Sequence, residues 1–299
     1  MIVKKLRRVA LVLGVGFLGL STIDTSAQVQ LIFQNGWENR TDLGCAFNTL
    51  IDGAGGLSTV HWNDFGPRLD VTCASPFIAQ ITTAERHDGN RSLQVNFRPD
   101  GSINGPDFRM GQDFGGNRNE IYARWYVKYS PNWRWATADH KVVIFGNASY
   151  TQDVYFNVRG NSQGGQGRIA IHAIPADVVF SDVNSSMSPG VWHLCEIHIV
   201  SGPNGRIEAK LDGQLLNLRD EGSRGLSPLN VNTGSGIGYF KLDTTYNNYA
   251  YPSSLGLNMN TWFDTFAIST QGWIGGTSGS GGSSSSAPTP PSNVRIVGS

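Results

Sequence analysis

The sequence is poor in charge. Charged residues fill 15% of its 299 positions, below the roughly 25% of ordinary soluble domains. Basic and acidic residues balance at 23 each, for a formal net charge of zero. That excludes the basic excess of a nucleic-acid binder. Helical periodicity is nearly absent, and Gly and aromatics crowd out the Ala, Glu, Lys and Leu of a coiled coil. Cysteines number three and none has CxxC spacing, so a zinc ribbon is excluded. No run after the first 27 residues is long and apolar enough to span a bilayer. What is present is 39% hydrophobic residues, 37 glycines and eight tryptophans. This is ample material for a core, in the composition of an all-β chain.

The ends separate from the body. Residues 1–27 read as a secretory signal peptide. Lys4, Lys5, Arg7 and Arg8 form the basic region, Val9 to Leu20 the apolar region, and Thr25-Ser26-Ala27 the small residues of a cleavage site. Twelve apolar residues fall short of the ~20 of a membrane anchor. Cleavage removes four of the 23 bases and one of the 23 acids, which leaves a net charge of −3. Gly275 to Ser286 holds only Gly, Ser and Thr, a linker composition, and Pro-rich sequence follows. The expected organisation is a signal at 1–27, one domain at 28–274, and a linker with a disordered tail at 275–299. The chain is expected to be secreted, to the extracellular space or a periplasm, and to be monomeric, with no nucleic-acid or membrane partner. An exported chain keeps disulfides, so Cys45 and Cys73 are expected to pair. Cys195 lies in a strand-like run and reads as a core thiol.

Short runs of β-branched and aromatic residues alternate with Gly, Asn, Asp, Ser and Pro clusters. Strands are predicted at 29–34, 91–98, 120–129, 141–147, 153–159, 167–174, 191–200, 205–211, 214–218, 236–242 and 262–270. Asp212-Gly213 marks a hairpin. Eleven strands point to a large antiparallel β-sandwich or jelly roll.

Side chains alternate across a strand, which makes its polar face readable. Tyr122, Arg124, Tyr126 and Lys128 oppose Ile121, Ala123, Trp125 and Val127. Asp153, Tyr155, Asn157 and Arg159 oppose Val154, Phe156 and Val158. Arg168, Ala170 and His172 oppose Ile169 and Ile171, and Tyr239 and Lys241 oppose Phe240 and Leu242. These faces carry tyrosines, cations, an amide and an imidazole, with Asp153 the lone acid. Lining one sheet, they would make a cationic, aromatic surface. Such a surface suits an anionic polysaccharide, because Tyr packs on sugar rings and Arg binds carboxylates bidentately.

The chain resembles the secreted concanavalin A-like jelly-roll polysaccharide lyases, the group that includes alginate lyases and heparin-lyase-like enzymes. The matching segments are Phe33-Gln-Asn-Gly-Trp-Glu38, Gly89-Asn-Arg-Ser-Leu93, Glu120-Ile-Tyr-Ala-Arg-Trp-Tyr-Val127, Gly190-Val-Trp-His193 and Trp262-Phe-Asp-Thr-Phe-Ala-Ile-Ser269. The jelly-roll alginate lyases carry an arginine-bearing strand, then Gln-x-His, then Tyr-Phe-Lys followed by Tyr-Asn. Here the order recurs as Arg124, Ala170-Ile-His172, Tyr239-Phe-Lys241 and Tyr246-Asn247, with alanine in place of the glutamine. The resemblance implies an all-β sandwich of two antiparallel sheets and β-elimination on a uronate polymer. Such a reaction neutralises the C5 carboxylate, removes the C5 proton and protonates the leaving oxygen.

For that chemistry the candidate catalytic residues are His172 as base, Tyr239 or Tyr246 as acid or base, and Arg124 as neutraliser. Candidate substrate-binding residues are Lys241, Asn157, Arg159, Tyr155, Tyr122, Tyr126, His140 and Lys141. No cofactor is expected for catalysis. Glu38 and Asp264 stand where related families bind a structural Ca²⁺, and carboxylate oxygens suit calcium. Two alternatives remain: a lectin-like carbohydrate-binding protein of the same fold, and a glycoside hydrolase. The hydrolases of this fold cluster acids as Glu-x-Asp-x-x-Glu on one strand. Asn119 to Arg124 offers only Glu120.

Overall fold

The computed structural model describes residues 29–37, 79–97, 109–135, 138–149, 152–160, 166–244 and 256–276. Glu38, Cys45, Cys73 and Tyr246 lie outside the described residues, and with them the expected disulfide. The expected signal at 1–27 and the residues beyond 276 lie outside as well.

Fifteen strands are found in the described residues: β1 (Leu31–Asn35), β2 (Ala79–Thr82), β3 (Ser92–Phe97), β4 (Arg109–Arg118), β5 (Glu120–Tyr129), β6 (Asp139–Gly146), β7 (Asp153–Gly160), β8 (Gly167–Ala173), β9 (Val178–Ser181), β10 (Trp192–Val200), β11 (Arg206–Leu211), β12 (Gln214–Leu215), β13 (Arg219–Asp220), β14 (Ile237–Asp243) and β15 (Met259–Ser269). They pair antiparallel in two sheets. The first runs β12-β11-β10-β5-β15-β3-β2, with β1 also on β15; the second runs β13-β9-β8-β7-β6-β14-β4. The molecule is thus the two-sheet β-sandwich that the sequence predicts.

All eleven predicted strands are present. The additional strands had weak signals. β4 reads RMGQDFGGNR, with three glycines and little alternation, and β2, β9 and β13 are four residues or fewer.

The inward residues of both sheets form one core. Trp125 of β5 meets Phe156 of β7 edge-on at 4.8 Å, and Phe266 of β15 stacks on Phe240 of β14 at 4.2 Å. Such ring pairs add about 0.5–1.5 kcal/mol each beyond the area they bury, and here they join the two sheets. Trp133 and Trp135 are core residues. They pack with Tyr129, Phe97 and His140 at one end of the sandwich. Cys195 is buried in the core, and burial pushes its thiol well above the ordinary range.

Candidate active site

The polar faces legible in the sequence do not line one sheet. β5 lies in the first sheet, whereas β7, β8 and β14 lie in the second. The outward side chains of β5 therefore sit on the opposite side of the sandwich from those of the other three strands.

On the first sheet the outward groups are bonded to one another. Tyr122 stacks on His198 at 4.0 Å and donates to Glu120 at 2.8 Å. Burial and that carboxylate push its phenol up to about 12. His198 is held between Glu208 (2.9 Å to Nδ1) and Glu120 (2.8 Å to Nε2). Tyr126 stacks on His87 at 3.5 Å. Arg124 donates to the Gly275 carbonyl, and the Gly275 N–H donates to Glu196 at 3.0 Å. Residues 271–276 thus cross this face as a strap. Trp273 of the strap lies edge-on to Tyr122, under the Lys210 ammonium 3.9 Å from its ring. Arg124, Tyr122 and Tyr126 lie on this strapped face, and the structure does not bring them together with His172 or Tyr239.

His140 is also displaced from its expected position at a cleft rim. It points inward and is buried against Phe97, Tyr129 and Trp133. Its neighbour Lys141 points outward.

Asp264 serves as an anchor. It sits at a bulge of β15 beside Thr265, whose φ is +43°. One carboxylate oxygen accepts the N–H groups of His87 (2.8 Å) and Asp88 (3.0 Å), and the other accepts Thr265 N–H (2.7 Å) and Oγ1 (3.2 Å). Burial outweighs these bonds and pushes its carboxyl up to about 6. Oxygens turned toward N–H donors do not fit a calcium ligand. Among the described residues no three His, Cys, Asp or Glu side chains cluster as a metal site.

The outer face of the second sheet has the character of a site. Its strands β14, β6, β7 and β8 lie side by side, and their registers place the outward residues in rows. Tyr239, Gly146 and Asp153 form one row. Lys241, Ile144, Tyr155 and His172 form the next. Lys141, Asn157 and Ala170 form a third, and Asp139, Arg159 and Arg168 a fourth. With strands roughly 4.8 Å apart, a row from β14 to β8 spans about 14 Å.

Four features of the first three rows are chemically suggestive. The Tyr239 hydroxyl donates to Asp153 Oδ1, and the Tyr155 hydroxyl donates to Oδ2 at 3.2 Å. Tyr239 is 1% exposed. Burial, then the charge and hydrogen bond of Asp153, push its phenol well above the ordinary value, so it stays protonated. The Tyr155 ring continues the line to His172, 5.9 Å away between centroids, and His172 Nε2 lies 3.4 Å from Asp177. Lysines flank the tyrosines: Lys241 Nζ is 5.6 Å from the Tyr239 ring and Lys141 Nζ 5.3 Å from the Tyr155 ring. Asn157, 2% exposed, has a carboxamide oxygen with no hydrogen-bond partner. A buried polar atom left unpaired costs about 1–3 kcal/mol, and functional sites are where such costs are found.

The fourth row is different. Arg159 is held by Asp139 (2.5 Å) and by Glu221, which also takes Arg168 at 3.1 Å. Burial works against the Arg159 charge, but the two carboxylates outweigh it and raise its pKa. Arg159 is on the expected face, yet its charge is already balanced.

Gly146 escaped the sequence reading. A Cβ built there would lie 2.3 Å from both Asp153 Oδ1 and the Tyr239 hydroxyl oxygen, so the residue keeps open the space where the two groups meet. A glycine at the end of an apolar strand was the available signal, since it marks a close approach.

No family model and no curated protein matches this chain. Solved structures do match it. A double mutant of the alginate lyase Aly36B, in complex with an alginate tetrasaccharide, aligns over 81% of this chain and 97% of its own, with a TM-score of 0.52 and 12% identity. The structure titled alginate lyase Aly36B aligns over the same shares with a TM-score of 0.48 and 12% identity. The endo-β-1,4-glucuronan lyase of the fungus Trichoderma reesei aligns over 66% of this chain and 90% of its own, with a TM-score of 0.47 and 13% identity. The chain shares the β-sandwich fold of the first of these structures.

Proposed function

We propose that the chain is a secreted polysaccharide lyase that cleaves an acidic, uronate-containing polymer by β-elimination. The observation that carries this reading is the outer face of the second sheet. It sets a buried carboxamide and two lysines around a protonated tyrosine and an imidazole. The likeness of fold to an alginate lyase supports the same class, and residues 1–27 support export.

Each step of the elimination has a group on this face. Lys141, Lys241 and the Asn157 amide bind the C5 carboxylate and stabilise the enolate-like charge. His172 takes the C5 proton. The electron pair of the broken C–H bond forms the C4=C5 double bond and expels O4. Tyr239, held protonated, supplies the proton that O4 takes up. Asn157 pairs in register with Ala170, the position where the resembling enzymes carry glutamine. It returns an amide to the place that the sequence alone leaves empty. Arg124 has no part in this scheme.

The test mixes the mature protein with a panel of uronate polymers and follows the ultraviolet absorbance of the unsaturated product. A rise that falls about 10²–10⁴-fold in His172→Ala and in Tyr239→Phe supports the reading. Binding by affinity electrophoresis without any absorbance change would sink it in favour of a lectin-like protein. Reducing ends released without that absorbance would indicate hydrolysis.

A further inference from the structure

The charges on this face are not evenly treated. Asp139 and Glu221 are each met by a guanidinium. Asp153 is held by two phenolic hydroxyls instead, one on each oxygen. A hydroxyl orients a carboxylate without cancelling its charge, whereas an ammonium or guanidinium within 4 Å would cancel it. On the neighbouring elements, Lys241 of β14 lies 5.6 Å from the Tyr239 ring and Lys141 of β6 lies 5.3 Å from the Tyr155 ring. No ion pair involves Asp153 among the described residues. The carboxylate cannot swing aside either, because both of its oxygens are fixed and Tyr239 lies across the gap that Gly146 leaves. One end of the face is therefore negative, and the adjoining rows are positive.

Building on the lyase reading above, we propose that Asp153 is a specificity-determining residue. It excludes a sugar carboxylate from the subsite over β6 and β7, and admits there a neutral sugar whose hydroxyls donate to its remaining lone pairs. The uronate is then bound by Lys141, Lys241 and Asn157, one or two rows away, and the sugar beside it carries no carboxylate. The substrate class is an acidic polysaccharide in which uronates alternate with neutral or N-acetylated sugars. A homopolymer of uronates would bring a second carboxylate against Asp153, and like charges a few ångströms apart in a partly buried site cost about tenfold or more in affinity.

The experiment compares the full chain with Asp153→Asn on three probes: hyaluronan, which alternates glucuronate with an N-acetylated sugar, and the uronate homopolymers alginate and polyglucuronate. The wild type is expected to give a kcat/KM for hyaluronan at least about tenfold above that for either homopolymer. Asp153→Asn is expected to narrow that ratio about tenfold, chiefly by improving the homopolymers. A wild type that prefers a homopolymer, or a ratio unmoved in a folded Asp153→Asn, overturns the proposal. If Asp153→Asn does not fold, Asp153→Ser carries the same comparison, with circular dichroism and melting as the check. Affinity electrophoresis on the same three polymers reads specificity without turnover. The same ratio shift in binding with no product absorbance would keep the role of Asp153 and refute the lyase reading alone.

Discussion

Lowering the pH should stabilise this protein through Asp264. The carboxyl titrates near 6 in the folded chain because it is buried, and near 4 when the chain is unfolded. Between those values the folded state holds the proton and the unfolded state does not. Stability therefore falls as pH rises through the window from 4 to 6, and rises as pH is lowered through it. The full difference is about two pH units, or roughly 3 kcal/mol. For a body of this size that corresponds to roughly 6–12 °C in melting temperature. Protonation is sterically feasible because the Thr265 hydroxyl, 3.2 Å from Oδ1, is able to reverse and accept.

The assay is thermal unfolding followed by tryptophan fluorescence from pH 4.5 to 7.5, in the wild type and Asp264→Asn. Asparagine does not titrate. It also turns an amide toward N–H donors, which costs about 1–3 kcal/mol. The variant is thus the less stable protein at pH 4.5, and its deficit should shrink by several degrees toward pH 7.5. A deficit that stays constant, or that grows with pH, would refute the reasoning. It would mean that the three N–H donors hold the carboxylate ionised and that burial does not dominate.

Two other perturbations separate the faces. Gly146→Ala places a methyl group 2.3 Å from Asp153 and Tyr239; it should cost about 1–3 kcal/mol of stability and most of the activity, and a fully active, undisturbed variant would show that the Tyr239–Asp153 contact is dispensable. Arg124→Gln should lower stability by about 1.5–3 kcal/mol through loss of the charged bond to the strap, while kcat/KM of the folded variant stays at the wild-type value; a hundredfold loss would return Arg124 to the catalytic chemistry.

Alternation is a local signal, and it worked wherever a strand had it. β5 was legible to its boundaries because Ile121, Ala123, Trp125 and Val127 alternate with polar neighbours. The same pattern says which residues share a side of a strand, but not which sheet the strand joins. β5 pairs with β10 and β15, whereas β7 pairs with β6 and β8. Arg124 and Arg159 look equivalent in sequence and end on opposite sides of the sandwich for that reason. His140 shows the same limit at a strand end: its position fits either side, and the aromatic cluster of Trp133 and Tyr129 takes it inward. His172, Tyr239, Lys241 and Asn157 were legible as one chemical set because each stands on a well-patterned strand. The contact of Tyr239 with Asp153 was not, since it depends on Gly146 of β6, the strand that lies between β14 and β7.

The strap has a practical meaning for how the molecule is handled. Gly276, where the described chain leaves the first sheet, is exposed and lies on the side away from His172 and Asp153. A bead, dye or second protein coupled at that point would sit behind the sandwich. The opposite side, with Asp153 and His172, would stay clear of the attachment.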